Sequence, residues 1–237
     1  MAKVAKSILP IVGTLDDVTF YYLNGQHIVR KASAGFNGKR IKTDPAMRRV
    51  RENAKEFGHC SEGNKLFRYA LTPLFTGYKF TFLHSRLMSL FQKVKKLDTT
   101  SKRGERQLHK AMLHSQAYSL FQQFNYTPSC SISQLLGTSP QYENGVFKLD
   151  AVQLSLDLPA DAFVHVKFGF LSLDFEYMRY ALEKAYPVVI TQDHKGESFE
   201  RSLVAPTADA LPFVITIVEN DAGQLYHDER FVGLEVL

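Results

Sequence analysis

Nine lysines and arginines crowd one short stretch of the N-terminal half. They are Arg30, Lys31, Lys39, Arg40, Lys42, Arg48, Arg49, Arg51 and Lys55. Cations that project from one face bind the backbone of a polyanion such as nucleic acid, and the nearby Tyr21 and Tyr22 would add base stacking. Glu52 follows Arg48 and Arg49 at spacings that also suit ion pairs on a solvated helix face. The stretch is therefore a candidate polyanion site, with a solvated face as the alternative.

Within this stretch, Gly35-Phe-Asn-Gly38-Lys39-Arg40 places two glycines before a lysine, as phosphate-binding loops do. A P-loop needs four residues between its glycines and Ser or Thr after the lysine, whereas here the gap is two and Arg40 follows. A Gly-x-x-Gly loop also clamps nucleic-acid backbones in KH modules, but the elements predicted around this one differ from that fold. We interpret the segment as a basic loop.

The histidines and cysteines are not spaced as a metal site. His109 and His114 are five residues apart and face different sides of a helix, and the adjacent His59 and Cys60 lack a second pair at zinc spacing. Two cysteines, Cys60 and Cys130, cannot build a disulfide framework, which favours a reducing compartment. We predict no metal and no cofactor, and we expect the cysteines to be buried apolar side chains.

Asp174 and Glu176 share one face of a predicted strand, as residues i and i+2 do. Paired carboxylates perform acid–base chemistry when one is desolvated, but these alternate with Leu173, Phe175 and Tyr177 and so should face water. No Gly-x-Ser-x-Gly nucleophile motif occurs. We therefore predict no catalytic residue and no enzyme, and a site assembled in space from distant residues is the third-ranked hypothesis.

The charge is unevenly divided along the 237 residues. Residues 1–110 contain 22 Lys and Arg against 8 Asp and Glu, and residues 111–237 contain 7 against 16, which gives +14 and −9 within a net charge of +5. A basic half attracts nucleic acid, an acidic partner or the chain's own acidic half. The composition excludes collagen-like, coiled-coil and disordered classes. Without a bilayer-spanning apolar run or a signal-peptide pattern, we expect a cytoplasmic protein with no membrane partner.

The N-terminal elements follow from turn and cap residues. Asn24-Gly25 predicts a β-hairpin of residues 18–23 and 26–31, because Asn-Gly tolerates the positive φ values of a type I′ turn. Residues 32–42 are predicted as the basic loop. Thr43-Asp44-Pro45 predicts a helix start and Gly58 its end. The stripe expected to be buried on this helix comprises Ala46, Met47, Val50, Ala54 and Phe57.

The remaining pattern changes from helical to alternating. Helices are predicted over 61–72, 82–97 and 105–124, and residues 126–145 form a connector rich in Pro, Ser and Gly. Apolar alternation then predicts strands over 152–158, 164–170, 173–177, 187–191, 211–219, 225–228 and 231–237, with 178–185 as a short helix or loop. The predicted class is α+β. Residues 1–125 would form a β-hairpin with a helical module, 126–145 a linker, and 146–237 an antiparallel β-sandwich.

Two stretches of the chain resemble an uncharacterised family of bacterial conserved hypothetical proteins. The first is the opening, which comprises Gly13-Thr-Leu-Asp-Asp-Val-Thr-Phe-Tyr-Tyr-Leu-Asn-Gly25, Val29-Arg30-Lys31, Thr43-Asp-Pro-Ala46, Arg51-Glu-Asn-Ala54 and Phe57-Gly58. The second is the closing stretch from Leu225-Tyr226 to Val236. The resemblance implies a hairpin and basic helix followed by a β-rich C-terminus, and it implies no activity. The opening is also similar to short modules of phage-derived particle proteins.

These features favour a non-catalytic structural or assembly protein, phage-derived or part of a larger particle. Its basic N-terminal module would contact a polyanion or an acidic neighbour, and its partners would be copies of itself or another protein of the assembly. The alternative is a nucleic-acid-binding protein that uses the basic hairpin–helix face.

Overall fold

The computed structural model describes residues 2–3, 11–32, 38–75, 78, 83–155, 158–159, 161–226 and 228–237. The described residues form helices and antiparallel sheets joined by turns and irregular segments, so the predicted α+β class is confirmed. The chain divides into two compact units, Met1–Asn53 and Ala54–Leu237. This division lies earlier than the predicted linker at 126–145.

The first unit is built on a four-stranded antiparallel sheet. Its strands are β1 (Ala2–Lys3), β2 (Gly13–Leu15), β3 (Val18–Leu23) and β4 (Gln26–Lys31), in the order β1-β4-β3-β2. The predicted hairpin of β3 and β4 is confirmed, with Val18 paired with Lys31 and Leu23 with Gln26. Positive φ values at Asn24 (51°) and Gly25 (75°) close the turn, as the sequence required.

A short helix, α1 (Gly38–Thr43), follows the sheet. It replaces the last part of the predicted loop 32–42, and residues 33–37 of that loop lie outside the described residues. The predicted helix start is confirmed. The Asp44 side chain accepts a hydrogen bond from the Ala46 backbone N–H (2.8 Å), and Pro45–Met47 forms a 3₁₀ turn that leads into α2 (Arg48–Leu71).

Helix α2 contradicts two predictions. It does not end at Gly58, because a glycine stop needs a left-handed backbone and the φ of Gly58 is not positive. A glycine inside a helix costs about 1 kcal/mol, and burial of Cys60 and Phe67 further along the same helix offsets that cost. The predicted buried stripe is also wrong, since Ala46, Ala54 and Phe57 are exposed and Met47 and Val50 only partly buried, while Glu56 is buried.

Where the structure describes the second unit, it has four shorter helices. They are α3 (Leu83–Val94), α4 (Leu108–Ala111), α5 (Ser115–Gln122) and α6 (Ile132–Leu136), with 3₁₀ turns at Thr72–Leu74, Lys95–Leu97 and Glu229–Phe231. The helix predicted over 82–97 is confirmed from residue 83. The helix predicted over 105–124 consists instead of α4 and α5, and the predicted connector contains α6 and the buried Tyr126 and Ile132.

In the described residues, eight antiparallel strands complete the second unit. They are β5 (Gln141–Glu143), β6 (Val146–Val152), β7 (Ala162–Asp174), β8 (Arg179–Lys184), β9 (Val188–Ile190), β10 (Glu197–Ser202), β11 (Leu211–Asn220) and β12 (Val232–Val236). One sheet has the order β12-β11-β7-β8 with β9 also paired to β7, and the other has the order β10-β6-β5. The predictions for β9, β11 and β12 are confirmed.

Several strand predictions differ from the structure. Residues 178–185, predicted as a helix or loop, contain β8, and β7 joins two strands that were predicted separately. In the strand predicted over 225–228, the described residues form one bridge, between Glu219 and Leu225, and residue 227 lies outside the described residues. Of the described residues in the strand predicted over 152–158, only Val152 is in a strand, at the end of β6, and residues 156 and 157 are not described.

The five-stranded sheet lies between two other layers. On one face Phe213 and Ile215 of β11 share a core with Phe67, Phe91 and Phe121 of the helices. On the other face, Val166 and Phe168 of β7 share a core with Phe147 and Leu149 of β6. The two sheets therefore pack as a sandwich, as predicted, and helices cover the outer face of the larger sheet.

A substitution at Gly169 on β7 tests this packing. A Cβ atom there would lie against the Glu183 carbonyl oxygen and the Phe213 ring, so we expect Gly169→Ala to lower the free energy of unfolding by about 1–3 kcal/mol. Gly58→Ala is the matched control. It meets no atom within 4 Å and should stabilise the protein by about 0.5–1 kcal/mol, because alanine favours helix. Urea unfolding of both variants tests the pair, and equal stabilities would contradict the packing described.

Candidate polyanion site

Two of the nine predicted cations lie side by side on α1. Lys39 and Lys42 are three residues apart, which makes them neighbours on a helix surface, and both are exposed. Within the part of the chain that the structure describes, neither ammonium group has an ion-pair partner. Arg40 differs from them, since its Nε lies 3.0 Å from an Asp44 oxygen. The backbone N–H of Ala46 and then Arg40 hold the pKa of the Asp44 carboxyl below its usual value.

The first turn of α2 adds two guanidinium groups that share one acid. Arg48 Nε lies 2.8 Å from one Glu52 carboxylate oxygen, and Arg49 Nη1 lies 3.3 Å from the other. Both arginines stay exposed, at 80% and 69% of their side-chain surface, whereas Glu52 keeps only 13%. The ion pairs predicted as the alternative therefore exist, but two positive charges face one negative charge and the excess is at the surface.

Arg51 has a structural role. Its Nη1 donates to the backbone carbonyl oxygens of Ile41 (2.7 Å) and Asp44 (2.9 Å), and the side chain is half-buried. These bonds tie the end of α1 to the start of α2. Arg51 therefore helps to hold α1 against the start of α2, and its contact with a polyanion stays a prediction.

The other predicted cations lie outside this segment. Arg30 and Lys31 are exposed at the end of β4, and the Arg30 guanidinium sits 5.5 Å from the centre of the Tyr21 ring. Tyr22 stacks on the buried His27 with ring centres 4.9 Å apart. Lys55 is exposed and belongs to the second unit. We name Lys39, Arg40, Lys42, Arg48 and Arg49 the cationic segment.

The division into units changes how the charge is distributed. The first unit, residues 1–53, contains 10 Lys and Arg against 4 Asp and Glu, which gives +6. The second unit contains 19 against 20, which gives −1. The basic residues 54–110 thus share one unit with the acidic residues 111–237. The uncompensated charge is concentrated in the first unit.

A buried polar cluster in the second unit was missed by the sequence analysis. Lys95 Nζ donates to a Glu56 oxygen (2.6 Å), the Gly104 backbone N–H donates to the other (2.7 Å), and both charged side chains are buried. Burial alone raises the pKa of the Glu56 carboxyl, but the bonds from Lys95 and Gly104 outweigh it and the pKa is lowered. The bond from Gly104 ties the 98–107 loop to α2, and the bond from Lys95 ties the preceding 3₁₀ turn to the same carboxylate.

Asp98 holds the same loop. Its carboxylate accepts backbone hydrogen bonds from Thr100, Ser101 and Gln107, and the last of these is 2.9 Å long. Burial by itself raises the pKa of Asp98, yet these donors together bring it far below its usual value. The cluster is spread over positions up to 48 residues apart, so no local spacing signals it.

His59 and Asp174, two of the residues singled out by the sequence, have structural partners. His59 Nε2 accepts the Leu108 backbone N–H (2.9 Å), and burial lowers the pKa of its ring. Asp174 accepts the backbone N–H groups of Glu176 and Tyr177 (3.0 Å each) and so stabilises the turn after β7. Among the described residues, no group of three His, Cys, Asp or Glu side chains could hold a metal ion.

Both cysteines are buried and free, as predicted. Burial raises the pKa of the Cys60 thiol and of the Cys130 thiol to about 11 in each case. Because the thiolate is the reactive form, we expect native protein at pH 7 to react with Ellman's reagent at least tenfold more slowly than unfolded protein. Stoichiometric labelling of the folded chain within seconds would contradict this.

In comparisons with known proteins, no family model, no curated protein and no solved structure matches the chain. The resemblance to a bacterial family therefore stays a prediction. Across the described residues, none of the helices combines the length and apolarity needed to cross a bilayer.

Proposed function

We propose that this chain is a structural subunit of a larger assembly, and that its first unit binds a polyanion through the cationic segment. The observation that carries the proposal is the excess of exposed positive charge on α1 and the first turn of α2. Asp44 and Glu52 neutralise only part of it. Lys39 and Lys42 are exposed and have no ion-pair partner among the described residues.

Electrostatics supports a polyanion rather than a small anion as the partner. An exposed cation contributes little to a single ion pair, since water and salt screen it. Several cations in one short segment gain affinity together when they displace the counterions condensed on a polymer. Arg48 and Arg49 are at least two-thirds exposed. Lys39 and Lys42 are exposed and have no ion-pair partner among the described residues. These four side chains therefore suit a polyanion better than a small anion with one charge.

The edge of the first sheet supports the assembly part of the proposal. Strand β2 is exposed along its length, and no described strand pairs with its outer side. Val12 and Leu15 expose 67% and 61% of their surface there. An edge strand with exposed apolar side chains accepts a strand from a neighbouring chain.

The mass of the native species tests the assembly role. It is measured by light scattering at several protein and salt concentrations, and the ratio of absorbance at 260 and 280 nm shows whether nucleic acid is bound. We expect a species heavier than the 26.9 kDa chain that carries nucleic acid or another polyanion at low salt and loses it as salt rises. A monomer under every condition would contradict the assembly role.

The second candidate is a protein that binds single-stranded nucleic acid. Tyr22 favours it, because this residue is 49% exposed on the hairpin that carries Arg30 and Lys31. Stacking of a base on an aromatic ring contributes about 1–3 kcal/mol. If this candidate is correct, Tyr22→Ala weakens binding of oligo(dT) while binding of heparin is unchanged. Equal losses for both polymers would favour the purely electrostatic site.

A further inference from the structure

A groove in the second unit lies between the end of α2 and the connection from β8 to β9. It encloses about 410 Å3 and is lined by Pro73 and Leu74 on the helix side and by Lys167, Lys184, Tyr186 and Pro187 on the sheet side. This volume falls within the range of small-ligand sites in proteins. The groove contains none of the residues of the cationic segment.

Tyr186 is the most exposed of the large apolar and aromatic side chains that the structure describes, at 90%. Its backbone is nonetheless held on both sides. The Ala185 N–H donates to the Phe168 carbonyl oxygen (2.9 Å), and Val188 pairs with Val166 in the sheet. The ring therefore stands at the lip of the groove on a fixed backbone, with nearly its whole surface available for stacking.

Two lysines give the groove a positive charge. Lys184 is exposed at the end of β8, and Lys167 is half-exposed on β7 opposite Ile215. In the described residues neither side chain has an ion-pair partner. The nearby C-terminal end of α2 contributes only about half a negative charge, so two full positive charges dominate and the groove attracts an anion.

We propose that this groove binds a nucleotide, with the base stacked on Tyr186 and the phosphate held by the ammonium groups of Lys167 and Lys184. The chemistry selects this class because it uses both features of the groove. Inorganic phosphate or an acidic peptide engages the lysines and leaves the aromatic ring without a partner. An uncharged aromatic compound engages the ring and leaves two cations unpaired.

Isothermal titration of the full chain with AMP, adenosine, inorganic phosphate and a glutamate-rich peptide tests the proposal. AMP should bind more tightly than the other three, and Tyr186→Ala should weaken AMP binding about tenfold or more while Tyr186→Phe preserves it. Lys184→Ala should weaken AMP binding and reduce its salt dependence. Tyr177→Ala is the matched control, because Tyr177 is also exposed (65%) but lies outside the groove. The affinity of this variant for AMP should equal that of the parent protein.

Three results would overturn the proposal. One is the absence of saturable AMP binding at millimolar concentrations. Another is phosphate or the acidic peptide binding as tightly as AMP with no effect of Tyr186→Ala, which would leave a simple anion site. The third is an equal loss in Tyr177→Ala and Tyr186→Ala. Because Tyr186 is exposed, circular dichroism of its variants should match the parent protein and so separate lost binding from lost structure.

Discussion

Replacing Lys39 and Lys42 together by alanine should weaken binding to heparin or duplex DNA about tenfold or more at 0.1 M salt. Each lysine that neutralises a phosphate or sulfate releases close to one counterion, and the two side chains are exposed without ion-pair partners among the described residues. The slope of log K against log salt should also become less negative by roughly 1.8. Fluorescence anisotropy with a labelled duplex measures both quantities.

The matched control for this variant is the double substitution of Lys93 and Lys96. These lysines are also exposed and three residues apart, but they belong to the second unit. The net charge changes equally in both variants. If Lys93→Ala/Lys96→Ala weakens binding as much as Lys39→Ala/Lys42→Ala, the effect reflects overall charge and the cationic segment is not the site.

Replacing Glu56 by alanine should lower the free energy of unfolding by about 3–5 kcal/mol. The change leaves Lys95 buried without its carboxylate partner and the Gly104 N–H without an acceptor, and an uncompensated buried charge is among the costliest defects in a fold. Urea unfolding at pH 7 measures the loss, which should appear as a lower midpoint with little change in slope.

A second variant separates the effect of the unpaired charge from the effect of the lost side-chain volume. In Glu56→Leu/Lys95→Met both charges are replaced by apolar side chains, so most of the stability should return, reduced by the unpaired Gly104 N–H. A loss below about 1 kcal/mol for Glu56→Ala would mean that Lys95 reaches water, and the buried pair would then not hold the 98–107 loop.

The sequence predicts elements well where local chemistry decides them. Asn24-Gly25 determines the hairpin, and Asp44-Pro45 determines the helix start. Strand β8 shows the limit. Its residues Ala181, Leu182, Glu183 and Lys184 favour helix, and only pairing with β7 makes them a strand. In the same way, Gly58 resembles a helix stop, but packing of the residues beyond it continues α2.

The candidate site was predictable in composition but not in geometry. The spacing of Arg48, Arg49 and Glu52 correctly anticipates their ion pairs. The sequence does not show that Arg51 bonds to backbone carbonyls rather than to a ligand, because that depends on how α1 and α2 meet. The Glu56–Lys95 pair joins residues 39 positions apart, a distance over which sequence patterns carry no information.

The central claim is that four cations of the first unit, Lys39, Lys42, Arg48 and Arg49, bind a polyanion together. The salt dependence of duplex DNA binding by the full chain tests it most directly. Four contacts predict a plot of log K against log salt with a slope of about −3 to −4, since each contributes about −0.9. A slope near zero, or no binding at 20 mM salt, would contradict the claim.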